Sequence, residues 1–140
     1  MTAKPLQVES KPPKTSPLPT TATQRGLTTH NFSKFKIMGV INLTPDSFSD
    51  GGRYDSLSRA LLQTEKLVNE GAQIIDLGGE STRPGSQTVS PEEEWKRLEP
   101  LLKEIQTQKL LPPEVYLSVD TYKEQVMLKS LDLGVDMINN

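Results

Sequence analysis

The stretch Ile37–Gly52, IMGVINLTPDSFSDGG, decides the fold. Its apolar run stops at Asn42, and a polar loop with Pro45, Asp46, Asp50, Gly51 and Gly52 follows. A short, nearly continuous apolar run is how a strand buried on both faces reads, and parallel strands are buried that way. Whether its polar ending is a mere turn or part of a site depends on whether later segments repeat it.

They do. FKIMGVIN (35–42), AQIIDLGG (72–79), VYLSVD (115–120) and DMIN (136–139) read as four strands. Between them lie helical patterns. DSLSRALLQTEKLVNEG (55–71) places Leu57, Leu61, Leu67 and Val68 on one face and stops at Gly71. SPEEEWKRLEPLLKEIQ (90–106) opens with Ser90 as N-cap, Pro91 at the first helical position and Glu93 completing a capping box. Glu92, Glu93 and Glu94 fall where the helix dipole favours negative charge. Trp95, Leu98, Leu101, Leu102 and Ile105 form the buried stripe, and Pro100 is expected to remove one hydrogen bond and bend the helix. YKEQVMLKSLDLG (122–134) is a third helix ended by Gly134.

Strand and helix alternate with short connections, the pattern of a parallel α/β sheet covered by helices. Three βα units and a fourth strand are about half of a (β/α)8 barrel, which takes about 250 residues. A flavodoxin-like sheet is the competing architecture.

Every strand delivers a hydrogen-bonding side chain at or near its carboxyl end: Asn42, Asp76, Asp120 and Asn139. Asp and Asn favour turns for local reasons, so one such ending carries little. Four out of four, at the edge where parallel α/β folds bind ligands, point to a site. The loop GGESTRPGSQTVS (78–90) adds chemistry. Gly78 and Gly79 permit close approach to the backbone, Thr82 offers a hydroxyl, and Arg83 a planar fork suited to phosphate or carboxylate. Pro84-Gly85 predicts a type II turn beside Arg83. Asn42 offers a hard cation only one neutral oxygen, so a Mg²⁺ ion here is expected to arrive with a phosphorylated substrate.

Composition narrows the class. The net charge of −2 is uneven: residues 1–36 carry six Lys/Arg against Glu9, a balance of +5, which leaves −7 for the rest. So acidic a body argues against nucleic acid as partner. The absence of cysteine rules out disulfides and thiolate metal sites within the chain. No apolar run reaches the ~18 residues of a membrane span. Residues 1–35, rich in Ser, Thr and Pro, read as an unfolded extension, and 36–140 as the folded body. The expected location is cytoplasmic, with an organelle as the alternative if the extension is a transit peptide. His30, the single histidine, lies in that extension.

GVINLTPDSFSDGG, IIDLGGESTRPGS and LSVDTYKEQV with GVDMINN closely resemble the three N-terminal signature regions of the dihydropteroate synthase family. The resemblance runs through residues 36–140 in the right order. It implies the first half of a (β/α)8 barrel. It also implies the condensation of a dihydropterin-methyl diphosphate with 4-aminobenzoate, releasing diphosphate, with Mg²⁺ as cofactor. On this resemblance Asn42 matches the Mg²⁺-binding asparagine. Thr82 matches a threonine contacting the pterin diphosphate, and Arg83 its catalytic neighbour on the second loop. Asp120 and Asn139 match pterin-binding positions, with Asp76 behind them. The implied chemistry is a dissociative displacement: diphosphate leaves, a pterin-methylene cation forms and the aryl amine attacks, without a covalent nucleophile. The family's later pterin-binding aspartate, lysine and arginine lie beyond these motifs, so the chain alone is expected to self-associate and to show no turnover. Asn140 stands where many members carry aspartate. Two other readings are a methyltetrahydrofolate methyltransferase-type barrel and a non-catalytic half-barrel. The TPDSFSDGG and ESTRPG loops favour the synthase, since methyl transfer has no diphosphate to hold.

Overall fold

The computed structural model describes residues 35–45 and 53–140. All of the expected extension except Phe35, and loop residues 46–52, lie outside the described residues. The elements follow in the order β1 (Met38–Asn42), α1 (Arg53–Asn69), β2 (Ile74–Gly78), α2 (Pro91–Gln108), β3 (Tyr116–Asp120), α3 (Glu124–Asp132) and β4 (Met137–Asn139). The first strand is shorter than its apolar run suggested. Phe35 is fully exposed, and pairing with β2 begins only at Met38.

All pairings are parallel, and the strands lie in the order β1-β2-β3-β4. This order decides between the two candidate architectures. A flavodoxin-like sheet reverses direction beside its first strand and places helices on both faces. Here each crossover steps to the next strand in the same direction, as in a barrel wall.

The core forms on the helical side. Ile41, Ile75, Leu77, Leu117 and Val119 alternate along the strands and meet Leu98, Leu101, Leu102, Ile105 and Val126 from the helices. Burying a side chain such as Leu98, Leu101 or Leu102 contributes about 1.5–3 kcal/mol, and all three are essentially inaccessible. In α1, Ala60 and Thr64 take the most buried positions, with Leu57, Leu61, Leu67 and Val68 packed around them. The buried Thr64 hydroxyl donates to the Ala60 carbonyl at 2.8 Å. Gly39 lets α1 approach β1, because a Cβ there would stand 2.9 Å from Leu67 Cδ1.

The start of α2 is as expected in one half. Ser90 Oγ accepts from the Glu93 amide at 3.1 Å. The Glu93 carboxylate does not complete a capping box; it pairs instead with Arg97 Nε at 3.3 Å. The helix runs through Pro100, which faces solvent, and ends where Lys109 adopts a left-handed conformation. Gly71 and Gly134 both have positive φ after their helices, as the stop signals predicted.

Candidate functional site

The parallel register brings the strand ends into one row. Asn42 pairs with Gly78, Gly78 with Asp120, and Asp120 with Asn139. Two residues earlier, on the same face, Asp76 pairs with Val40 and Ser118. Asn42, Asp76, Asp120 and Asn139 therefore share the carboxyl end of the face opposite the helices. Gly78 leaves a gap in the row between amide and carboxylate; a Cβ there would lie 3.5 Å from Asn42 Oδ1.

Gly79 serves a different purpose from the one its neighbour suggested. A Cβ on Gly79 would stand 2.9 Å from Glu94 Cγ and 3.1 Å from the Glu94 carbonyl oxygen. It admits helix α2 to the strand end, and only Gly78 opens the face that carries the row.

Asp76 is 2% exposed, and its Oδ2 accepts from Asn139 Nδ2 at 3.2 Å. Asp120 is half-buried, with its pKa raised by burial first and then by the charges of Asp76 and Glu94. Its position thus favours a ligand offering N–H donors or positive charge, which would relieve that repulsion.

Thr82 and Arg83 lie in the exposed loop between β2 and α2. The predicted turn is present. Gly85 has a φ of +82° and the Ser86 amide donates to the Arg83 carbonyl at 3.1 Å. The Arg83 amide donates to Ser81 Oγ at 3.3 Å, and Ser86 Oγ lies 2.7 Å from both the Ser81 and Arg83 carbonyls. The backbone at Arg83 is thereby fixed while its guanidinium forms no ion pair with a described residue.

Four charged residues outside the predicted site, Glu80, Glu94, Arg97 and Lys123, tie this loop down. Lys123 Nζ, just after β3, binds Glu94 Oε2 at 2.7 Å and Glu80 Oε2. Glu80 also accepts from the Val89 amide at 3.2 Å and the Tyr122 hydroxyl at 3.1 Å. Arg97 Nη1 donates to the Gly79 carbonyl at 2.9 Å. Burial alone would raise the Glu80 pKa, but bonds from Lys123, Val89 and Tyr122, with the Lys123 charge, hold it below normal. Burial alone would lower the Lys123 pKa, but its two glutamates raise it. Glu94 is thus no solvent-facing partner of the helix dipole: it is 1% exposed. Its spacing carried the signal, since Glu94 lies in phase with Leu98, Leu101 and Ile105.

No three His, Cys, Asp or Glu side chains gather as a metal site among the described residues. What the strand ends offer a cation is the Asn42 oxygen over the open ground at Gly78. That donor suits an ion that keeps its waters and takes phosphate oxygens from a substrate. No helix among the described residues is long and apolar enough to cross a membrane.

A one-directional parallel sheet with an amide, a glycine, a carboxylate and a second amide along its carboxyl edge defines the ligand-binding wall of a (β/α)8 barrel. The chain belongs to the pterin binding enzyme family, whose model matches residues 38–140. Among curated relatives, dihydropteroate synthase of Bacillus subtilis is 50% identical over 107 residues, covering 76% of this chain and 36% of that protein. Among solved structures, the Clostridium difficile dihydropteroate synthase in the presence of pteroic acid has a TM-score of 0.70 and 46% identity. That match covers 77% of this chain and 40% of the other. The Xanthomonas albilineans enzyme with 4-aminobenzoic acid gives a TM-score of 0.67 and 42% identity, over 76% and 37% of the two chains. The chain therefore spans about two-fifths or less of the length of these relatives.

Proposed function

We propose that this chain carries the pterin and diphosphate side of a dihydropteroate synthase of folate biosynthesis. In the proposed reaction a (7,8-dihydropterin-6-yl)methyl diphosphate and 4-aminobenzoate give 7,8-dihydropteroate and diphosphate. The observation that carries this reading is the row Asn42, Gly78, Asp120 and Asn139 in register along one edge. The chain's similarity to synthases solved in the presence of pteroic acid and with 4-aminobenzoic acid supports the ligand class.

In this reading Asp120 accepts from ring N–H groups of the pterin, and Asn139 both donates and accepts along the same edge. Gly78 leaves room for the methylene to pass toward Asn42. Thr82 contacts the diphosphate, and Arg83 stabilises its developing charge as the C–O bond breaks. Asn42 would give one oxygen to a Mg²⁺ ion held by the diphosphate, and the ion supplies charge neutralisation on that leaving group. The loop bearing Thr82 and Arg83 closes over the pair and orients the aryl amine.

The test is an NMR titration of the chain with pteroic acid up to millimolar concentration. The expected result is saturable shifts at Asp120, Asn139 and Gly78, lost in Asp120→Ala. Shifts confined to the helices, or none at all, would overturn the assignment. The methyltransferase reading has no observation in its favour, because it leaves Thr82 and Arg83 without an anion to meet.

A further inference from the structure

We infer that Asp76 is a positioning residue that fixes the Asn139 side-chain amide in one orientation, its oxygen toward the ligand edge beside Asp120. The inference rests on the pterin-binding reading above.

Asp76 and Asn139 belong to β2 and β4, which are not neighbours; β3 runs between them. Their side chains meet across β3, where Ser118 is the register partner of Asp76 and Asp120 that of Asn139. Ser118 is fully buried and small, so it leaves the path across the strand open. Asp76 is buried to 2% exposure, while Asn139 lies on the exposed rim. The contact therefore joins an inaccessible anchor to an accessible ligand group.

The chemistry of the pair sets the direction. A carboxylate oxygen without a proton can only accept, and the Asn139 atom that faces Asp76 Oδ2, at 3.2 Å, is the donor Nδ2. The ordinary ambiguity of an asparagine amide is thereby removed. Oδ1 and the second N–H of Asn139 are left for the ligand in a fixed order. Asp120, with no hydrogen-bond donor to its carboxylate among the described residues, stands next to it in register. A planar heterocycle with adjacent N–H groups would meet two acceptors side by side. With the amide reversed, one of those N–H groups would meet an N–H.

Asp76 Oδ1 and Ser118 Oγ are both buried without a protein partner. Holding a carboxylate in such a place costs stability. That cost is consistent with a functional role, because packing alone would be served as well by an apolar residue.

The experiment is a double-mutant cycle read by pteroic acid affinity in the NMR titration, using the full chain. Asp76→Asn is close to isosteric, but its amide can pair with Asn139 either way round. It is expected to weaken binding about tenfold in the wild-type background and not at all in Asn139→Ala, because the effect runs through Asn139. Equal loss in both backgrounds, or none in either, would overturn the inference. If Asp76→Asn does not fold, the unliganded wild type still decides. One Asn139 side-chain amide proton should be shifted downfield and exchange more slowly than its geminal partner, and two protons at ordinary free-amide shifts that exchange equally fast would overturn the proposal. Failure of the wild type to bind pteroic acid would defeat the pterin reading instead, leaving the amide orientation to be read by itself.

Discussion

Asp120 sits in a setting that works against its own charge, and this has a cost the molecule can be made to show. Burial, with Asp76 and Glu94 nearby, raises its pKa above the ordinary 3.8. A group whose folded pKa is raised favours folding below its unfolded value, and that advantage is lost as pH rises through the folded value. At neutral pH the ionised Asp120 therefore destabilises the fold. Asp120→Asn is expected to raise the melting temperature at pH 7, and the gain should vanish below about pH 3.8. The same variant should lose pteroic acid binding, since an amide cannot replace a carboxylate's two acceptors. An unchanged or lower melting temperature at pH 7 would contradict this account. Residues of this kind were legible in the sequence because each polar side chain closes an apolar run, a position local pattern can see. Glu94 and Lys123 were not. A glutamate in the first turn of a helix reads as a solvated charge; its phase with Leu98 and Leu101 hints at burial, but only the fold brings Lys123 to it as a partner.

At the scale of elements, the loop between β2 and α2 is tied to the fold at its base and bonded to itself at its tip. Glu80 gathers Lys123, Tyr122 and the Val89 amide, while the turn at Pro84-Gly85 carries Arg83 outward. Removing one partner of a buried ion network typically costs about 3–5 kcal/mol, because it strands the others. Lys123→Met leaves Glu80 and Glu94 facing each other, so a loss of that order is expected in urea unfolding. A loss under about 1 kcal/mol would mean the pair is solvated like a surface bridge. The pH dependence has a definite sign. The lowered pKa of Glu80 gives stability that is complete above its ordinary value of 4.5 and lost as pH falls through the folded value. The raised pKa of Lys123 gives stability that is complete below 10.5 and lost as pH rises through its folded value. Hydrogen exchange at the Val89 amide should be slowest between those limits and faster, at matched intrinsic rates, in Glu80→Gln. Gly79→Ala tests the same junction from the strand side. Its methyl would press on the Glu94 backbone, and overpacking of this kind costs about 1–3 kcal/mol. The element boundaries themselves were readable from period and caps. What escaped was the division of labour between adjacent glycines, because sequence cannot say which face of a strand end a helix will approach.

At the scale of the whole molecule, the strand order carries a consequence for association. A sheet wound in one direction over four strands has β1 and β4 at its two margins. Neither margin pairs with a described strand, and such edges invite other chains. On β1, Met38 is 39% exposed and Val40 53%, and both lie on the face opposite the helices. An apolar strand face left partly open among the described residues adds to the tendency, since contiguous exposed apolar surface drives association. We predict that the 140-residue chain sediments as a concentration-dependent oligomer. Val40→Lys, which places a charge on that margin, should shift it toward monomer while retaining the helical circular dichroism. Catalysis is the harder demand. Asn42, Asp120 and Asn139 line one arc of a site that a closed barrel would surround. Displacement through a cation requires the amine to be held and water kept out. The chain alone is therefore expected to bind pteroic acid weakly and to release no diphosphate above background with 4-aminobenzoate and Mg²⁺. Diphosphate release from a monodisperse monomer, dependent on 4-aminobenzoate and abolished by Arg83→Ala, would overturn this, because it would mean that one arc suffices to exclude water.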